Sequence, residues 1–459
     1  MLMVAYFFPP VGGLGAAGSQ RMCHLARYLP LHGWQVSVLT ARESSYEPYL
    51  VMDASLAAKV PPGTKVSRTR VIRGLTPLLR LKGRIAGVIH RRPGLVSSEQ
   101  PGTPATEQSR NPGTSSRNWY RALKDAVTDL FEIPDGEIGW LLPAVIAGLG
   151  IVRRQKIDVL FSSGRPWTAH LIGYALKRLT GRPLITDFRD PWMTNPFRLR
   201  YSAFRESVER RLERLVVRSA DLIVLNTGHL RAEFARRFPD AGPKCVEIGN
   251  GFDPEDFSGL VDRRPVPEPS TRFRLVHSGF LYGERDPKNF LKAVSLLREL
   301  YELDARHVAI EFVGPVELSY DLSAYLKEHD LDAIVSLPGL VPYQESLERV
   351  ACADAAILLQ PGTKTQVPSK LYEYVGLGKS VVAIAEKESA VADVVSRHAL
   401  GDLADARSPV DIAATLHVMY RRWEAAHHRL TINSYGRDHF DVRRLAGVLA
   451  EHMRRVCDR

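Results

Sequence analysis

Short apolar runs alternate with amphipathic stretches from the first residues onward. Leu2–Phe8 and Trp34–Thr40 predict strands, and Ala16–Leu31 between them carries helical periodicity. Helical segments follow over Tyr120–Phe131 and Ile138–Val152, then a strand over Ile157–Ser162, a helix over Trp167–Leu179 and a strand over Pro183–Asp187. Phe204–Ser219 predicts a charged helix with Val208, Leu212, Leu215 and Val216 on its inner face, before strands at Asp221–Leu225 and Cys245–Ile248. The alternation then repeats. Strands are expected at Phe273–His277, Val308–Val313, Val335–Leu337, Asp354–Gln360 and Val381–Ala385, with helices between them. Such alternation predicts α/β architecture: two doubly wound, Rossmann-like parallel sheets facing across a cleft. The expected boundaries are a first domain over 1–258, a linker over 259–271, a second domain over 272–430 and a helical tail over 431–459.

Length agrees with two domains, since 459 residues exceed one ordinary core. An apolar content of 45% and a charged content of 25% are those of a soluble globular protein. Cys23, Cys245, Cys352 and Cys457 are scattered and form no CxxC, which argues for a reducing compartment and against a disulfide framework or a zinc site. No run of eighteen apolar residues occurs. Met1–Phe8 lacks a basic leader and runs into Pro9-Pro10-Val11-Gly12-Gly13, so it reads as a first strand and not a signal peptide. Residues 93–118, rich in Ser, Pro, Gly and Thr, read as a flexible insertion. The expected location is cytoplasmic.

The net charge of +11 is uneven. No acidic residue lies between Asp53 and Glu99, whereas residues 59–92 hold ten Lys and Arg. Two readings stay open for this segment. One is a solvated basic loop or helix face, and the other is an interfacial stretch giving peripheral contact with anionic lipid at the inner face of the cell membrane. No nucleic-acid motif and no interleaved aromatics accompany it, so nucleic acid is not an expected partner.

Candidate chemistry sits in loops that follow strands. Pro9–Arg21 is glycine-rich, and Gly12 and Gly13 allow close backbone approach to a ligand, but no GK[ST] closes a phosphate loop. His170, after Ser162-Ser163-Gly164, is either an acceptor-activating base or a histidine packed on a helix face. Asp187-Phe188-Arg189-Asp190-Pro191-Trp192 concentrates two carboxylates, a guanidinium and an indole at a strand end, suited either to sugar hydroxyls or to an internal ion network. In the second half, Gly279 opens a loop that brings Arg285 and Lys288 as cations for a diphosphate. Pro368-Ser369-Lys370-Leu371-Tyr372-Glu373-Tyr374 reads as a helix start, with amides for an anion and a carboxylate one turn on for ribose hydroxyls. Asp330-Leu331-Asp332 has the spacing of a metal motif but lies away from these loops. No HExxH, GxSxG or close His/Cys cluster is present, and no metal or cofactor is expected.

These motifs together resemble the glycosyltransferases of GT-B fold in the large retaining family 4. The resemblance rests on Phe8-Pro9-Pro10 with Gly12 and Gly13, on Asp187–Trp192, on Asn250-Gly251-Phe252-Asp253 and above all on Pro368–Tyr374. It implies a nucleotide-diphosphate sugar on the second domain, a saccharide or lipid-linked acceptor on the first, and retaining transfer without metal, in cell-surface polysaccharide or glycoconjugate synthesis. By motif match, Glu373 contacts the ribose, Ser369, Lys370 and Leu371 line the diphosphate, and Gly12 and Gly13 approach from the other domain. Pro368, Gly279 and Lys288 complete the expected donor set. Arg285 and Lys370 stabilise the leaving diphosphate, His170 and Asp190 are candidates at the acceptor hydroxyl, and Arg21, Arg189 and Trp192 are expected acceptor contacts. Two positions depart from the family. Thr365 stands where a second acidic residue is usual, and Phe280 replaces a basic residue. A nucleotide-sugar epimerase of the same architecture, or a catalytically degenerate binding subunit, remains an alternative.

Overall fold

The computed structural model describes residues 1–12, 16–47, 50–72, 132–196, 198, 201–261 and 272–458. The expected helix over Tyr120–Phe131, the insertion at 93–118, Gly13, the basic residues from 73 to 92 and most of the linker lie outside the described residues.

The first sheet contains β1 (Leu2–Ala5), β2 (Ser37–Ala41), β3 (Lys65–Thr69), β4 (Leu160–Gly164), β5 (Leu184–Phe188), β6 (Leu222–Leu225) and β7 (Cys245–Glu247). Its order is β3-β2-β1-β4-β5-β6-β7, and every pairing is parallel. Helices α1 (Ala16–Tyr28), α2 (Leu141–Arg154), α3 (Thr168–Thr180), α4 (Ala203–Ser219) and α5 (Gly228–Arg237) connect or cover these strands. The order reverses between β1 and β4, so the loops leaving those strands open a crevice at their carboxyl ends.

The second sheet repeats the arrangement with β8 (Phe273–Ser278), β10 (Val308–Val313), β12 (Val335–Gly339), β13 (Ala355–Gln360), β14 (Ser380–Ala385) and β15 (Gly401–Asp405). Its order is β12-β10-β8-β13-β14-β15. A small parallel pair, β9 (Leu281–Tyr282) with β11 (Val316–Glu317), extends the loops after β8 and β10. The helices here are α6 (Lys288–Tyr301), α7 (Leu322–Glu328), α8 (Tyr343–Cys352), α9 (Lys370–Gly376), α10 (Ala390–Arg397) and α11 (Pro409–Ala425), followed by α12 (Val442–Cys457). The strand order switches between β8 and β13, which places the Gly279 turn beside the loop leading to α9.

The chain crosses between the sheets twice. The outward crossing near Phe252 and the return near Phe440 bond each other: Phe252 N–H donates to Phe440 O at 2.9 Å, and Val442 N–H to Phe252 O at 3.1 Å. After the return, α12 buries Val442, Ala446, Leu449, Ala450, Met453 and Val456 in the same core as Met1, Met3, Met22 and Leu25. The last helix therefore packs into the first domain's core.

Two expectations shift at the level of elements. Part of the basic segment is neither loop nor helix: after the turn at residues 59–64, Lys65–Thr69 is the edge strand β3, where charged side chains discourage further pairing. Lys59 pairs with Asp256 at 2.7 Å, and Arg68 donates to Pro9 O at 2.7 Å. Helix α4 buries a face turned from the expected one. Leu215 is exposed, whereas Arg205, Glu209, Glu213, Val216 and Val217 face inward. The buried charges are matched, with Arg205 Nε donating to Glu209 at 2.7 Å and Glu213 paired to Arg237. Apolar periodicity cannot register a face built on ion pairs.

Candidate active site

The wall of the first domain is organised by Arg21 on α1. All five guanidinium N–H bonds are taken: Nε and Nη2 by Asp187 at 3.2 and 2.9 Å, Nη2 also by Ile248 O at 2.9 Å, and Nη1 by Gly249 O at 2.6 Å and Asn250 Oδ1 at 3.2 Å. Asp187 is fully buried and also accepts from Ser163 at 2.8 Å. Arg21 thus binds the β5 end to the outward crossing and has no donor left for an acceptor, contrary to expectation.

Arg189 lies two residues beyond Asp187, directly past the end of β5. Nε donates to Gly164 O at 2.9 Å and Nη2 to Arg165 O at 2.8 Å. Its Nη1 rests on Gly18 so closely that a Cβ there would stand 2.2 Å away. Arg189, Asp190, Arg165, Trp167 and Trp192 line a cavity of about 650 Å³ on the first domain. Trp192 is only 1% exposed and stacks on Trp167, with centroids 5.1 Å apart and planes 6° from parallel, so it shapes this wall from behind and offers no open ring face.

His170 is fully buried beneath the same loop. Its Nδ1 is 2.9 Å from Ser162 Oγ, and its ring packs on Phe188 at 4.5 Å. Burial pushes the imidazole down to about 3, only partly opposed by Asp187. It is therefore the packed histidine of the two readings. Gly12 N–H donates to Val51 O at 2.8 Å, so a close approach of this loop to a ligand would not use that amide.

On the second domain, Tyr374 of α9 holds the end of β8. Its hydroxyl accepts from Ser278 N–H at 3.0 Å and donates to Ser278 O at 3.3 Å. This fixes the Gly279 turn relative to α9. Gly279 N–H is itself bonded to Val313 O, so the turn offers shape and not that amide. Beneath it His277 is buried, with Nδ1 3.0 Å from Ile357 O. Burial lowers it to about 4 against the raising effect of that bond, and Arg285 and Lys370 both lie within electrostatic reach and lower it further.

Lys370 Nζ pairs with Glu373 Oε2 at 2.9 Å. Burial pushes the Glu373 carboxyl up, while Lys370 and the Tyr343 hydroxyl pull it back. Arg285 donates to Gln360 at 3.0 Å and lies over the Tyr282 ring. Lys288 is exposed and sits over the rings of Tyr320 and Tyr325. Helix α9 has seven residues, and the Leu371 and Tyr372 amides already donate to Pro368 O and Ser369 O at 3.2 and 3.0 Å. Leu371 is buried in the core. The positive character of this wall therefore comes from Lys370 and Arg285 more than from the helix start at Pro368 and Ser369.

The two walls meet. Gln366 Nε2 donates to Asp190 Oδ1 at 2.8 Å, and Thr227 Oγ1 donates to Thr365 O at 2.8 Å. A smaller recess beneath is lined by Arg21 and His24 of α1, Asp253 and Asp256 of the crossing, Tyr343, Ser369, Tyr372 and Glu373.

The profile of the glycosyl transferase 4-like domain matches residues 17–251, more than half of the chain. The chain belongs to this glycosyltransferase family. No curated protein sequence matches it significantly. Among solved structures it is similar to Anabaena HepE in complex with UDP, with TM-score 0.60 at 15% identity, covering 99% of each chain. It is also similar to sucrose-phosphate synthase from Thermosynechococcus elongatus, with TM-score 0.58 at 14% identity, covering 99% of this chain and 98% of that one. A glycosyltransferase from Rickettsia africae gives TM-score 0.57 at 11% identity over 99% and 98% of the two chains. These likenesses establish the GT-B fold of this glycosyltransferase.

Several residues of the candidate site had no sequence signal. Gln366, Thr227 and Gly18 act through partners distant in the chain. Tyr374 could have been singled out, since a tyrosine hydroxyl on the buried face of a helix needs a partner. Among the described residues no three His, Cys, Asp or Glu side chains converge to hold a metal ion, and no helix is long and apolar enough to cross a membrane.

Proposed function

We propose that this glycosyltransferase moves a sugar from a nucleotide-diphosphate sugar to a saccharide or lipid-linked acceptor, with retention at the anomeric carbon. One observation carries the reading: Gln366, in the loop that leads to the Lys370–Glu373 pair, bonds Asp190 at the first-domain cavity, and Lys370 and Arg285 both lie within electrostatic reach of His277 on the second domain. Glu373 holds the ribose hydroxyls, and Lys370 and Arg285 meet the diphosphate. HepE, which shares the fold, was solved with UDP, with UDP and glucose, and with UDP-glucose.

In the transfer, the bond from the anomeric carbon to the diphosphate oxygen breaks. The acceptor oxygen bonds to that carbon on the same face, and its proton passes to the departing diphosphate. Lys370 and Arg285 stabilise the charge that develops there, in a cleft where such interactions are stronger than in water. Asp190 accepts a hydrogen bond from the acceptor hydroxyl and orients it. A cytoplasmic enzyme of polysaccharide or glycoconjugate synthesis, touching the membrane through residues 59–92, fits this reading. The test is a thermal-shift screen over nucleotide-diphosphate sugars, followed by product analysis with the best donor. A ligand that binds only the folded state raises the melting temperature. Absence of any shift across the common donors contradicts the proposal.

A further inference from the structure

Asp190 and Gln366 sit at the centre of a small bonded frame. Asn226 Nδ2 donates to Arg189 O, and the adjacent Thr227 Oγ1 donates to Thr365 O at 2.8 Å. Two consecutive residues after β6 therefore hold the neighbours of Asp190 on one side and of Gln366 on the other. The loop carrying Gln366 is anchored at its root as well, where Gln360 Nε2 donates to Thr363 Oγ1 at 2.6 Å. Within this frame the Gln366 amide occupies one oxygen of the Asp190 carboxylate, Oδ1. Asp190 lines the 650 Å³ cavity of the first domain. Among the described residues no other protein group is bonded to that carboxylate, so Oδ2 keeps its lone pairs for a ligand.

We infer that Gln366 is the positioning residue for Asp190, turning the second carboxylate oxygen toward the acceptor hydroxyl and making acceptor orientation depend on the loop that precedes the donor helix. This rests on the reading of the cleft as a transfer site. A neutral amide is the chemistry this role needs. It donates one hydrogen bond that fixes the carboxylate plane, and it leaves the carboxylate's charge in place for the acceptor. A second carboxylate at this position would face Asp190 at hydrogen-bond distance, and the two would share a proton. An alanine would free the carboxylate to rotate.

The experiment compares wild type, Gln366→Ala and Gln366→Glu. Donor affinity is read by calorimetry with the donor found by screening. Turnover of that donor is followed against pH with methyl hexopyranosides as acceptor probes, and transfer to water is counted with transfer to sugar. The expected result is a loss of turnover of about tenfold or more in Gln366→Ala while donor Kd stays within about twofold, the signature of a lost transition-state arrangement. In Gln366→Glu the pH–activity profile changes shape, because the two coupled carboxylates titrate in two macroscopic steps. A purely structural tie between domains would instead weaken donor binding and turnover together and leave the profile unchanged. Turnover of Gln366→Ala within about twofold of wild type with normal donor Kd, or parallel loss of both, overturns the role of Gln366 alone. Wild-type protein that binds no nucleotide-diphosphate sugar overturns the transfer reading and this role with it.

Discussion

Gln366 in the second domain donates to Asp190 in the first at 2.8 Å across 176 residues of sequence. The bond lies at the junction of the cavity lined by Asp190 with the loop that leads to Lys370 and Glu373. Asp190 and the helix that carries Lys370 and Glu373 are thereby parts of one arrangement. Asp190→Asn keeps the size of the side chain and removes its charge. We expect turnover to fall by roughly two orders of magnitude, the usual scale for a group that handles a proton-bearing substrate oxygen. Donor affinity and melting temperature should stay near wild type, which calorimetry and circular dichroism check.

Gly18 is required by close approach. A Cβ at this position would stand 2.2 Å from Arg189 Nη1 and 2.8 Å from Cζ. Gly18→Ala must push the guanidinium off Gly164 O or Arg165 O and disturb the cavity wall. We expect a stability loss of about 1–3 kcal/mol from overpacking, read by urea denaturation. Turnover should fall by a larger factor than that loss alone accounts for.

Arg21→Lys is not conservative here. A lysine brings three donors on one point where a five-donor fork reaches Asp187, two carbonyls and Asn250. Asp187 is fully buried, and a badly partnered buried charge costs roughly 3–5 kcal/mol. The expected outcome is a large drop in the denaturation midpoint, and Arg21→Ala should be worse.

The architecture was legible in the sequence because its strands are apolar and its turns glycine- and proline-rich, as at Val381–Ala385 after Gly378. The motif Pro368–Tyr374 located the second wall for the same local reason. The roles of individual residues were less legible. Leu371 and Gly12 look available in a motif, but their N–H groups are bonded to Pro368 and Val51. His170 and Arg21 have the right chemistry in the right loops, and only three-dimensional packing shows that their partners are Ser162 and Asp187. Gln366 carries no signal at all, since its meaning depends on a residue in the other domain.

Acid sensitivity offers a test of the buried His277. Its folded value of about 4 lies below the ordinary 6.5, so the unfolded chain binds the proton first. The neutral ring's favourable contribution is complete above pH 6.5 and is lost as pH falls toward 4, at about 1.4 kcal/mol per pH unit for one proton. Glu137 acts in the opposite sense. Burial and Asp135 raise it to about 7, so its contribution declines as pH rises from 4.5 toward 7. The difference between wild type and His277→Gln isolates the histidine. We expect the wild-type denaturation midpoint to fall more steeply than the variant's between pH 6.5 and 4.

The central claim is that the wall formed by Glu373 and Lys370 holds the nucleotide of the donor. It is tested most directly by titration calorimetry of wild type, Glu373→Ala and Lys370→Ala with the nucleotide-diphosphate sugar that most stabilises the wild-type protein. Both variants are predicted to bind at least about tenfold more weakly, a loss near 1.4 kcal/mol each, with unchanged folding by circular dichroism. Wild-type affinity in both variants would contradict the account.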